Sequence, residues 1–78
     1  MKALNEALPG KDYEVLWNIS HEAEPSPTEQ AGLIQGARFS VLTNYFGYVI
    51  VKLNGRRFAI DEEQAQRVKI AEPSAAPA

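Results

Sequence analysis

A chain of 78 residues is one domain, and at that size folding hides only about 60% of the surface exposed by the unfolded chain, so stability has to come from tight packing. With no cysteine, disulfide staples and thiolate metal sites are excluded. A formal charge of −2 argues against a dedicated nucleic-acid binder, because phosphate contacts need a positive excess.

Met1 is followed by Lys2, Asn5 and Glu6 with no apolar run suited to a signal peptide or membrane span, so a soluble chain is expected. Leu4 and Leu8 are one helical turn apart before Pro9-Gly10, which predicts a brief opening helix. Period-two alternation follows. Tyr13, Val15, Trp17 and Ile19 face one way and Asp12, Glu14, Asn18 and Ser20 the other, predicting a half-buried strand with Trp17 in the core and Leu16 as the exception. His21 to Pro27 reads as an exposed loop. Ser26-Pro27-Thr28-Glu29 then has the capping-box pattern of a short helix, stopped by Gly32 with Leu33 and Ile34 folding back as anchors.

Ala37, Phe39 and Val41 alternate with Arg38 and Ser40 in a second strand, and Thr43 to Gly47 reads as a loop of turn formers. Asn54-Gly55 suits a two-residue type I′ hairpin, since both residues tolerate positive φ. That turn predicts a register: Leu53 opposite Arg56, Val51 opposite Phe58, Val49 opposite Ile60, and on the other face Ile50 opposite Ala59 and Lys52 opposite Arg57. Asp61 caps a short acidic helix through Ala65, and Val68 and Ile70 close the fold, with Arg67 and Lys69 toward water. The fold class expected is mainly β: a small SH3-like five-stranded barrel with one or two short helices over residues 1–70, followed by a disordered tail, 71–78.

Ala31-Gly32-Leu33-Ile34-Gln35-Gly36, Phe46-Gly47, Val49-Ile50-Val51, Asn54-Gly55-Arg56-Arg57-Phe58-Ala59-Ile60 and Val68-Lys69-Ile70 stand in an order and spacing that resembles the FeoA family. The resemblance runs from about Leu4 to Ile70. It implies a cytoplasmic, non-enzymatic accessory protein of bacterial ferrous iron transport, docking to FeoB, a membrane permease with a cytosolic GTPase domain, and modulating it. Ala31 stands where the family has a leucine, so a docking groove at this helix would be shallower here. The same barrel resembles the C-terminal domain of iron-dependent repressors, which gives a stand-alone relative of that domain as an alternative. A second alternative is a small barrel that binds single-stranded nucleic acid through basic and aromatic side chains.

No residue set supports catalysis, and no cofactor is expected: there is one histidine, no cysteine, no glycine-rich phosphate loop and no carboxylate pair on a rigid element. His21, Glu22 and Glu24 match ferrous iron in ligand type, but they lie in a proline-flanked loop without ligand spacing, so no metal site is assigned. Asp61, Glu62 and Glu63 are better read as complements to a helix N-terminus. Lys52, Arg56 and Arg57, joined by Arg67 and Lys69 if the last strand lies nearby, form a basic cluster that protects a strand edge or meets an acidic partner surface or lipid headgroups. Tyr45, Phe46 and Tyr48 either anchor a partner or cap the barrel end. The residues assigned to partner binding are Leu33, Ile34, Phe46, Tyr48, Lys52, Arg56 and Arg57; Leu33 and Ile34 also serve as candidate core.

Overall fold

A computed structural model describes residues 2–19 and 27–73. The elements are β1 (Lys2–Ala3), a 3-10 turn (Leu4–Glu6), β2 (Asp12–Asn18), α1 (Pro27–Gln30), β3 (Arg38–Tyr45), β4 (Tyr48–Leu53), β5 (Arg56–Ile60), α2 (Glu62–Gln66) and β6 (Val68–Ala71). All strands pair antiparallel in one sheet of order β1-β6-β2-β3-β4-β5. The mainly-β class with two short helices is the one expected from the alternation. The strand count is not: Lys2–Ala3, ahead of the brief helical turn that does form at Leu4–Glu6, pairs with Lys69 and Ile70 and gives a sixth strand. Strand pairing does not close the barrel either, since β1 and β5 remain the two edges of the sheet among the described residues.

Asn54 and Gly55 sit at φ +52° and +79°, and every pair of the predicted β4–β5 register forms, from Leu53 opposite Arg56 to Val49 opposite Ile60. Val49, Val51, Leu53 and Ile60 thereby join Tyr13, Val15, Phe39, Val41, Val68 and Ile70 in one core. Tyr13 lies across from Phe39 with ring centroids 6.2 Å apart, and its buried hydroxyl accepts a hydrogen bond from the Leu8 amide at 3.0 Å. A buried phenol needs such a partner.

Strand β2 departs from the expected facing at Trp17. Val15 pairs with Ile70 but Trp17 with Lys69, so Leu16 is an extra residue in the ladder. One inserted residue reverses the alternation beyond it. Trp17 therefore turns outward, 43% exposed, instead of entering the core, and Asn18 turns inward. The Asn18 amide donates to Thr28 Oγ1 at 2.8 Å and to the Leu33 carbonyl at 3.1 Å, which clasps α1 to the sheet.

The end of α1 is as expected. Gly32, at φ +108°, donates its amide to the Glu29 carbonyl, and the Leu33 amide reaches the Thr28 carbonyl, a Schellman closure with Leu33 buried as its hydrophobic member. A side chain at Gly32 would come within 2.9 Å of Leu53 Cδ2. Ser26, the expected N-cap, lies outside the described residues. Asp61 does cap α2, accepting from the Gln64 amide at 2.8 Å. Ala71 extends β6, and Glu72 pairs with Lys11 at 2.8 Å.

Candidate functional site

The segment Thr43–Tyr45, expected as loop, is strand. β3 continues to Tyr45, Tyr45 pairs with Tyr48, and only Phe46 and Gly47 make the turn, at φ +52° and +92°. Leu42 is an extra residue between the Val41–Val51 and Thr43–Ile50 pairs. The bulge keeps the outward face running on toward the tip.

Asn44 holds this tip in place. Its Oδ1 accepts from the Gly47 amide at 2.9 Å, and its Nδ2 donates to the Asn5 and Ala7 carbonyls at 3.0 and 2.6 Å. One side chain thus closes the turn and ties it to the segment after β1. Gly47 is buried against α2, where a Cβ would lie 2.7 Å from Glu62 Cγ. The position admits glycine on two counts: its φ is left-handed, and the space is already filled.

On this braced turn the aromatic side chains face water. Phe46 is 84% exposed and Tyr45 69%, with Tyr48 exposed beside them. The Tyr45 and Phe46 rings meet edge-to-face at 4.7 Å. Of the two readings open for this cluster, capping the barrel end and meeting a partner, the exposure does not fit the first.

Alternate residues of β4 carry the strip down the sheet: Tyr48, Ile50 and Lys52 share the outer face. Lys52 stands opposite Arg57 on β5 and opposite Ser40 on β3. Arg56, opposite Leu53, is exposed at the strand end. Next to this basic end an open groove of about 440 Å³ is lined by Arg38, Ser40, Lys52, Asn54 and Asp12. Arg38 is engaged by Glu14 at 3.3 Å, and Ser40 donates to Asp12 at 2.7 Å.

Arg67 and Lys69 do not join the cluster. They lie on the far side of the sheet order, where Arg67 pairs with Glu63 at 3.4 Å and Lys69 Nζ donates to the Gln66 carbonyl at 3.2 Å. Leu33 is completely buried, so it belongs to the core and is withdrawn from the binding surface. Its neighbour Ile34 is 55% exposed, in the turn leading to Gly36. Two assigned groups are therefore brought onto one face: Tyr48, Lys52 and Arg57, with Phe46 at the tip. Ile34 is on another element.

His21, Glu22 and Glu24 lie outside the described residues. Among the described residues no group of three histidine, cysteine or acidic side chains is placed to hold a metal ion, and no helix is long and apolar enough to cross a membrane. Glu62 and Glu63 stand in the first turn of α2 as expected, and Glu62 also accepts from the Gln66 side chain at 2.9 Å. The residue that composition could not single out is Asn44. Its turn-forming propensity was visible, but the carbonyls it bonds are 37 and 39 positions away.

Residues 2–72 match the FeoA domain. The chain belongs to the FeoA family. A crystal structure of an iron uptake regulatory protein, itself a FeoA, is 32% identical over 90% of this chain and 93% of that one, with a TM-score of 0.65. No curated protein matches the chain. Membership of the FeoA family carries a role in ferrous iron transport, the coarse function that the resemblance implied.

Proposed function

We propose that this chain is a non-enzymatic, cytoplasmic accessory protein that docks to the cytosolic GTPase region of a FeoB-like permease and modulates it. The observation that supports the reading is the outer strip of the β3–β4–β5 ribbon, with exposed Tyr45, Phe46 and Tyr48 at one end and the paired Lys52 and Arg57 at the other. Exposed aromatics are the side chains that most often supply binding energy at protein interfaces. A like-charge pair directly opposed across strands opposes folding, and an acidic partner surface relieves that repulsion.

Titration calorimetry of the full chain against the purified cytosolic region of the permease tests this. Measurable association is expected, weakened about tenfold by Arg57→Glu at low ionic strength and less at high salt. Absence of association by the wild-type chain at high micromolar concentration overturns the docking reading.

A further inference from the structure

Phe46 occupies a position that its side chain resists. At φ +52° it is a bulky residue in the left-handed region, where asparagine, aspartate and glycine are at home and others bear a cost. In the other two-residue turn of this protein the equivalent position holds Asn54 at the same φ. Nothing in the core offsets the cost at Phe46, because the ring is the most exposed of the large apolar side chains among the described residues. The turn beneath it is nonetheless rigidly braced by the three hydrogen bonds of Asn44 and by Glu62 against Gly47. A strained residue on a rigid support, with its apolar surface in water, is the arrangement of a functional site rather than of a stabilising turn.

Resting on the docking reading above, we infer that Phe46 is the anchor of that surface, inserted into an apolar pocket of the partner rimmed by lysine or arginine. The apolar character follows from the Phe46 ring and the Tyr45 edge beside it. The basic rim follows from the charge at the tip. Glu62, in the first turn of α2, abuts Gly47, the residue next to Phe46. The sequence from Leu42 to Val51 contributes no charge of its own. A carboxylate beside an aromatic knob repels an acidic rim and attracts a basic one. The Lys52–Arg57 end of the strip meets acidic surface, so the ribbon reads a partner of alternating sign.

Phe46→Asn separates the two halves of the inference. Asparagine suits the left-handed turn and removes the ring. The melting temperature of the isolated chain is expected to rise by about 4–8 °C. Affinity for the cytosolic region of the permease is expected to fall about thirtyfold or more. Glu62→Gln, which keeps the ring and the packing on Gly47 but removes the charge, is expected to weaken binding about threefold at low salt. A Phe46→Asn chain that binds like wild type overturns the anchor while leaving docking intact. If its melting temperature fails to rise, the strain is refuted. If Glu62→Gln binds as tightly as wild type, the basic rim is wrong, and if the wild-type chain itself does not bind, the docking reading falls and the anchor with it.

Discussion

The two hairpins of this protein have the same turn and different causes. Both bend through two left-handed residues, Asn54-Gly55 between β4 and β5 and Phe46-Gly47 between β3 and β4. In the first, the residues themselves favour the conformation, and a side chain at Gly55 would meet nothing within 4 Å. In the second, Phe46 disfavours it, and the turn is held from outside by Asn44 and by α2 lying on Gly47. Identical backbone geometry can be local in one hairpin and imposed by tertiary contacts in its neighbour. The imposed one presents the aromatic surface.

Removing the brace should therefore cost more than spoiling the self-made turn. Asn44→Ala leaves the Gly47 amide and two carbonyls without this partner; a loss of about 2–4 kcal/mol is expected, read as a lower urea midpoint at unchanged m-value. Gly47→Ala combines a left-handed backbone with the collision against Glu62, and about 2–3 kcal/mol is expected. Adding Glu62→Ala to it should recover the part due to collision. Gly55→Ala meets open space and should lose only the conformational part, about 1–2 kcal/mol. Equal losses at Gly47 and Gly55 would show that α2 does not shape the first turn, and the contrast between the hairpins would dissolve.

The smallest effect is expected far from both turns, at the exposed Lys11–Glu72 pair. The hydrogen bond from Lys11, and then its charge, hold the Glu72 carboxyl below its ordinary 4.5, while the same bond raises Lys11 above 10.5. A carboxyl whose folded value is depressed stabilises the fold above its unfolded value, and that contribution fades as pH falls through the lower, folded value. The lysine contribution fades only as pH rises beyond its raised value. Stability should thus be flat in this respect around neutrality. Glu72→Gln should flatten a slight loss of stability at acid pH, measurable at low salt and screened at high salt.

Much of the fold was legible because its causes are local. The Asn54-Gly55 turn dictated five facing pairs in advance. Gly32 and Asp61 ended and began helices as their chemistry requires. Alternation failed at β2 because nothing in Tyr13-Glu14-Val15-Leu16-Trp17 announces which residue the ladder will skip. The skip is decided by where β6 lies, and it exchanges Trp17 for Asn18 on the inner face. The proposed binding surface was half legible. Phe46, Tyr48, Lys52, Arg56 and Arg57 are exposed as expected, whereas Leu33 sits in the core because the Schellman closure turns it inward.

What the residues determined unaided was therefore the class of fold, the β4–β5 register, the end of α1 and the start of α2, all consequences of φ preference, side-chain period and capping within a few positions of one another. Tertiary structure alone decided the sixth strand, the bulge that expels Trp17 and the turn that lifts Phe46 into water. Each of these depends on a hydrogen-bond partner or a packed neighbour supplied by a segment far away in the chain, which no local preference encodes.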